Sequence, residues 1–101
     1  MVKPKEVIIR KIKEYIDMAG GDYSNWYVGI ATDPQKRLYE DHNVDRNGLC
    51  TWEEAEDSNI AREIEKYFIE ILGTDGGASG GDNTTKFVYA YKKTTYTNEK
   101  S

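Results

Sequence analysis

Residues 43–54, NVDRNGLCTWEE, have the spacing of a calcium-binding loop. Oxygen-bearing side chains occupy the first, third, fifth and twelfth positions and a glycine the sixth; they are Asn43, Asp45, Asn47, Gly48 and Glu54. An EF-hand uses that pattern because Ca²⁺ takes several oxygen ligands and the chain must turn sharply at the glycine. This loop has asparagine where aspartate is usual and a cysteine where a branched apolar residue is usual. It also lacks the second loop with which EF-hands normally pair.

Glu65 is a second residue whose position suits chemistry. At about 100° per residue it lies beside Ala61 and Leu72 at the margin of an apolar helical stripe, with Ile69 on its other side. Glu63 lies on the opposite, solvated face. A partly desolvated carboxylate at the rim of a cleft suits metal binding or a tuned pKa. The alternative is an ordinary glutamate paired with a nearby lysine.

The stretch WYVGIATDPQKRLYEDHN joins an aromatic, β-branched segment to a helical one. It resembles the second half of the GIY-YIG nuclease signature, in which a strand with Tyr-Ile/Val-Gly leads into a helix bearing arginine and often histidine. A later helix of the family carries a metal-binding glutamate followed by aromatic residues, which REIEKYFIEILG resembles. The corresponding residues are Tyr27, Val28, Gly29, Arg37, His42 and Glu65.

The resemblance implies a Mg²⁺-dependent or Mn²⁺-dependent endonuclease that hydrolyses phosphodiesters in DNA. This chemistry needs charge neutralisation, a positioned water and a metal. The resemblance implies that Arg37 binds a phosphate oxygen and that Glu65 holds the metal. It implies that Tyr27 orients or deprotonates the attacking water, with His42 assisting proton transfer.

Each assignment has a structural alternative. Arg37 is also explained as a surface side chain lying over its helix, and Tyr27 as a tyrosine packed over a small residue. His42 is also explained as a helix-end residue that interacts with the helix dipole.

Several features depart from the family pattern. The Gly-Ile-Tyr strand is missing, so the first catalytic tyrosine has no counterpart unless Tyr89 or Tyr91 faces the cleft. His42 lies one place further from Arg37 than in the family. The family often carries an asparagine after the glutamate helix. This chain has no matching asparagine at that place, although Asp82 and Asn83 lie nearby.

These departures favour a second hypothesis, a catalytically degenerate domain that binds nucleic acid or a protein partner without cleavage. The chain has 101 residues and a formal net charge of -4, so nucleic-acid binding requires a local basic patch. Lys36, Arg37, Lys92 and Lys93 are the candidates for that patch.

Composition predicts one domain spanning residues 1–101, because the chain is too short for two ordinary cores. Charges interrupt every apolar run at the start, so no signal peptide or membrane span is expected there. We therefore expect a soluble, cytoplasmic protein. The single cysteine, Cys50, excludes an internal disulfide and a cysteine-based zinc cluster.

The predicted fold is α/β (α+β), with a small antiparallel sheet covered by about three helices. Periodicity predicts helices over 5–19, 34–42 and 60–72, strands over 26–31 and 86–92, and a polar tail over 94–101 that frays. Asp33 is expected to cap the second helix and Pro34 to begin it. Because an EF-hand requires helices on both sides and this pattern requires a sheet, we expect 43–54 to connect two helices without binding calcium. Its Asn and Asp side chains would then hydrogen-bond their own backbone.

Overall fold

The computed structural model describes residues 2–77 and 84–99. The helices are α1 (Lys5–Met18), α2 (Pro34–Lys36), which continues as a π-helical turn (Arg37–Asp41), and α3 (Ser58–Glu70). The strands are β1 (Trp26–Ala31), β2 (Cys50–Glu54) and β3 (Phe87–Lys92). They form an antiparallel sheet in the order β1-β3-β2. The mixed α/β fold class is confirmed.

The pairing of β1 with β3 is the pairing that the sequence predicts, but β2 was missed. Residues 50–54 were predicted to be part of a helix-to-helix connection, and they instead form the third strand. Glu53 and Glu54 weaken the strand signal in the sequence, because charged residues are poor strand formers. In the structure Glu53 forms an ion pair with Lys3 at 2.7 Å, and the Glu54 carbonyl accepts a hydrogen bond from the Lys3 amide.

The calcium interpretation does not fit this geometry, because the segment leads into a strand where an EF-hand needs a helix. Asp45 bonds the neighbouring backbone, as the sequence predicts, whereas Asn43 contacts the distant C-terminal tail. The Asp45 carboxylate accepts from the Asn47 amide at 2.8 Å, and the Asn43 side chain donates to the Tyr96 carbonyl at 2.9 Å.

The two faces of the sheet bury different kinds of residue. Alternation along β1 and β3 sends Trp26, Val28, Ile30, Val88 and Ala90 to one face, where they pack with the apolar stripes of α1 and α3. The other face carries Tyr27, Ala31, Tyr89 and Tyr91, packed against Leu38 and Val44. The first face is an apolar core, whereas the second is aromatic and polar.

The helix ends follow their sequence signals. Asp33 caps α2 by accepting from the Lys36 amide at 3.2 Å, and Pro34 occupies its first turn. Asp57 caps α3 through the Ile60 amide at 2.8 Å. Within the described residues, none of the helices is long and apolar enough to cross a membrane.

Residues 94–99 of the C-terminal tail, for which the sequence predicts fraying, contact the rest of the domain. The Thr97 hydroxyl closes a turn by accepting from the Thr94 amide and donating to the Thr94 carbonyl. The Asn98 amide donates to the His42 carbonyl at 2.7 Å, and the Tyr91 hydroxyl donates to the Glu99 carboxylate at 2.9 Å. The tail is held because it satisfies buried polar groups of the sheet, which composition does not reveal.

Candidate functional site

Three tyrosines share the polar face of the sheet. Tyr27 stands directly opposite Tyr91, and Gly29 stands opposite Tyr89. The Tyr27 ring stacks on Tyr91 at 5.2 Å and on Tyr89 at 6.3 Å between ring centroids. Tyr89 and Tyr91 therefore face the same side as Tyr27, which is the condition under which either could replace the missing first tyrosine.

Gly29 makes room for Tyr89. A Cβ atom at this position would lie 2.5 Å from the Tyr89 hydroxyl oxygen and 2.6 Å from the ring carbon that bears it. Because any larger residue would displace the ring, the glycine fixes where the Tyr89 hydroxyl lies.

The π-helical turn joins Arg37 to His42 through a backbone hydrogen bond. The His42 amide donates to the Arg37 carbonyl at 2.8 Å, five residues earlier instead of the four of an α-helix. This turn accommodates the extra residue that separates Arg37 from His42, and it sends the imidazole into the sheet face. Such π-type turns occur frequently at functional sites.

His42 is fully buried among the tyrosines and is not an exposed helix-end residue. Nε2 lies 2.7 Å from the Tyr89 hydroxyl, and Nδ1 lies 2.6 Å from the Asn98 carbonyl oxygen. Burial lowers the pKa of His42, as does the charge of Arg37, so the imidazole is neutral at pH 7. The Asn98 carbonyl and the carboxylates of Asp41 and Glu99 act in the opposite direction.

Arg37 is the partly exposed member of this cluster, with 29% of its side chain accessible. Its guanidinium donates to the Asp41 carboxylate at 2.9 Å, and its charge acts on the Tyr89 hydroxyl. The planar group therefore lies near the tyrosine face. Its accessible part can meet an incoming phosphate.

Residues 74–77 run along the outer edge of β1 and reach the Tyr27 hydroxyl. The Val28 amide donates to the Asp75 carbonyl at 3.0 Å, and the Asp75 amide to the Trp26 carbonyl at 2.8 Å. A Cβ atom at Gly77 would lie 3.0 Å from the Tyr27 hydroxyl oxygen, so the backbone at Gly77 lies close to this hydroxyl. The charge of Arg37 also acts on Tyr27.

Glu65 lies on α3 and is 8% exposed, in accordance with its predicted place at the margin of the apolar stripe. Its Oε2 atom receives no hydrogen bond from the described residues. Burial raises the pKa of Glu65 from 4.5 to about 7, opposed by the charge of Arg62. Burial also raises the pKa values of Tyr27 and Tyr89, and the charge of Glu65 adds to both effects. The carboxylate is therefore electrostatically coupled to both hydroxyl groups.

A metal at this place would depend on Glu65. Among residues 2–77 and 84–99, no three His, Cys, Asp or Glu side chains are grouped to hold an ion. Mg²⁺ commonly uses one or two protein carboxylates and completes its shell with water and phosphate oxygens. The unpartnered Oε2 atom of Glu65 fits that limited requirement.

The four basic residues do not form one patch. Lys92 pairs with Trp26 at the start of β1, and the neighbouring Lys93 donates to the Asp75 carboxylate at 3.3 Å. Lys36 follows the other end of β1, where it is exposed. A nucleic-acid surface at Arg37 would therefore lack the combined positive charge of these lysines. Asp82 and Asn83, the alternatives for the family's asparagine, lie outside the described residues.

A groove of about 650 Å³ lies beside the cluster, between residues 43–49 and the C-terminal tail. Leu49, Lys92 and Tyr96 are among its walls, and Tyr27, Arg37 and Glu65 are not. His42 is not among the residues that line the groove.

The sequence predicted Tyr27, Arg37, His42 and Glu65 and left Tyr89 as a conditional substitute. The contacts of the tail residues Asn98 and Glu99 with His42 and Tyr91 were missed. The alternation of tyrosines in KFVYAYKK is the signal that could have placed Tyr89 and Tyr91 together, because residues two apart share a strand face. No comparable signal exists for Asn98 and Glu99.

Neither the family models nor the curated proteins nor the solved structures with which the chain was compared contain a match. The resemblance to GIY-YIG nucleases therefore stays a prediction. The argument for a function depends on the convergence of Tyr27, Arg37, His42 and Tyr89 on the polar face of the sheet, with the charge of Glu65 on α3 acting on the two tyrosines.

Proposed function

We propose that this protein is a metal-dependent nuclease that hydrolyses phosphodiester bonds in DNA. The observation that supports the proposal best is the cluster itself, in which the charge of Arg37 acts on the Tyr89 hydroxyl and Tyr89 is hydrogen-bonded to His42 at 2.7 Å. A phosphate-binding cation thereby lies beside a hydroxyl group that is linked to a neutral imidazole. These are groups that phosphodiester hydrolysis requires.

Arg37 binds and orients the phosphate. Its guanidinium offers several donors in a plane, and the negative charge that develops on the phosphate oxygens strengthens those hydrogen bonds. The bond to Asp41 restrains the side chain before substrate arrives, which limits the conformational freedom lost on binding.

Tyr27 and Tyr89 position the attacking water from the sheet face. The raised pKa of each hydroxyl keeps it protonated at neutral pH, so neither acts as a preformed phenolate base. Tyr89 instead takes a proton while giving its own to His42, which is neutral and able to accept it.

Glu65 would hold Mg²⁺ or Mn²⁺ in this proposal, and the ion would supply charge stabilisation at the phosphate. Metal binding requires the ionised carboxylate. Because burial raises the pKa of Glu65 to about 7, cleavage is expected to increase as the pH rises through that value.

The test is cleavage of labelled single-stranded, duplex and branched DNA with Mg²⁺ or Mn²⁺, comparing the wild type with Glu65→Gln. Glu63→Gln is the matched control, because Glu63 lies on the same helix with its side chain 54% exposed in an ion pair with Lys5. We expect the wild type and Glu63→Gln to cut and Glu65→Gln to lose most activity.

Equal activity of all three proteins would remove Glu65 from the mechanism. If none of them cuts any substrate with either metal, the nuclease proposal fails. Salt-sensitive DNA binding without cleavage would then support the degenerate binding domain, and an absence of DNA binding would support a protein partner.

A further inference from the structure

A directed chain of hydrogen bonds passes through His42. The Asn98 carbonyl can only accept, so Nδ1 of His42 carries a proton and donates it at 2.6 Å. In the neutral ring Nε2 then has no proton, and it accepts from the Tyr89 hydroxyl at 2.7 Å. The charge of the nearby Arg37 guanidinium favours release of the proton of the Tyr89 hydroxyl.

Glu99 ends this chain on the other side of the ring. The Tyr91 hydroxyl lies 2.9 Å from the Glu99 carboxylate and 3.2 Å from Nδ1 of His42. An ionised carboxylate only accepts, so Tyr91 donates to Glu99 and presents an oxygen lone pair toward the proton on Nδ1. The Asn98 amide also donates to the His42 carbonyl, so the tail holds both the backbone and the ring of this residue.

We propose that Asn98 and Glu99 are positioning residues of a proton relay. They keep the proton of His42 on Nδ1, so that Nε2 carries no proton and can accept one. Asn98 acts directly on the ring, and Glu99 acts through Tyr91. In its use for hydrolysis this proposal rests on the proposed nuclease function. The position of the proton can be measured without any cleavage.

The relay conserves protons at each step. When water attacks phosphorus, one of its O–H bonds breaks and the proton passes to the Tyr89 oxygen, while Tyr89 gives its own hydrogen to Nε2 of His42. The new O–P bond displaces the leaving oxygen, which takes a proton from solvent. The imidazolium later releases its extra proton to solvent by the reverse path.

The imidazolium formed in this step is buried, so its neighbours decide how readily it forms. The titratable and charged groups that face it come from the π-helical turn, β1, β3 and the tail: Arg37, Asp41, Tyr27, Tyr89, Tyr91 and Glu99. Glu99 and Asp41 favour the cation, whereas Arg37 and burial disfavour it. Glu99 is thus a carboxylate that the tail brings to the far side of the ring.

NMR of the imidazole nitrogens tests the proposal directly, because His42 is the only histidine in the chain. In the wild type we expect the neutral tautomer with the proton on Nδ1. Glu99→Gln removes the charge without changing the shape, and Tyr91→Phe removes the hydroxyl that links Glu99 to the ring. Both variants are expected to lower the pKa of His42. Glu56→Gln, an exposed glutamate outside these contacts, is expected to leave it unchanged.

A proton on Nε2 in the neutral wild type would overturn the proposal. So would a pKa of His42 that is the same as in the wild type in both Glu99→Gln and Tyr91→Phe. Cleavage provides the second readout. If the nuclease is active, Glu99→Gln should cut about tenfold more slowly than the wild type at pH 8, where Glu65 is ionised, because its imidazole is a weaker base. If the wild type does not cut DNA, only the proposed function is contradicted. The tautomer and the titration of His42 still test where its proton is held.

Discussion

Replacing Glu65 by glutamine should remove a large pH dependence of stability. The pKa of Glu65 is raised from 4.5 to about 7, because the folded protein removes the carboxylate from water. A raised pKa means that the stabilising contribution is complete below about pH 4.5 and is lost as the pH rises through 7. At about 1.4 kcal/mol per pH unit, ionising Glu65 in the folded state costs up to about 3 kcal/mol.

Glu65→Gln has nearly the same shape but never ionises. We expect its free energy of unfolding to be close to that of the wild type at pH 4.5 and to exceed it by about 2 to 3 kcal/mol at pH 8. Urea unfolding followed by circular dichroism at several pH values measures this difference. Comparing the two proteins at each pH largely cancels the titration of His42, whose lowered pKa has the opposite effect on stability.

Glu63→Gln is the control, because its carboxylate is solvated and should show no comparable pH-dependent gain. Added Mg²⁺ provides a second comparison at pH 8. If Glu65 binds the ion, the wild type should gain about 2.7 kcal/mol when Mg²⁺ is present at a hundredfold its dissociation constant, and Glu65→Gln should gain none. A difference between wild type and Glu65→Gln that is constant from pH 4.5 to 8 would refute the burial argument.

Three further perturbations test other parts of the structure. Gly29→Ala should destabilise the protein by about 1 to 3 kcal/mol, because the new Cβ atom overlaps the Tyr89 ring; an unchanged unfolding midpoint would contradict that packing. Asp57→Ala removes the cap of α3 and should cost about 1 kcal/mol in urea unfolding, and no loss would mean that water replaces the bond to the Ile60 amide. Under the proposed function, Arg37→Lys should reduce the rate of DNA cleavage by about 100-fold, since a lysine cannot reproduce the planar donors. Wild-type cleavage rates in that variant would exclude a specific role for the guanidinium.

The parts of the fold that depend on local signals were predictable. Asp33 and Pro34 together specify the start of a helix, and that start is confirmed. The alternation in residues 87–92 specifies a strand, and its partner is the strand that ends just before Asp33. In both cases the information lies within a few residues.

The parts that depend on distant contacts were not predictable. The strand Cys50–Glu54 is stabilised by Lys3, which lies about fifty residues earlier, and no local pattern indicates that ion pair. The tail is held by His42 and Tyr91, so its order depends on the sheet already being formed. The sequence pattern identified His42 but not its burial, because the π-helical turn that buries it differs from an α-helix by one residue.

The two faces of the same sheet provide an internal comparison for the site. On one face, β1 and β3 bury Trp26, Val28, Ile30, Val88 and Ala90 against two helices, which is a sufficient way to stabilise a small domain. The opposite face buries three tyrosines and a histidine, whose polar atoms must each find a partner. Stability alone does not require that second arrangement, since apolar residues would fill the same space without the desolvation cost. A buried imidazole that is hydrogen-bonded to Tyr89 near a partly exposed arginine therefore supports the proposal that this face carries chemistry.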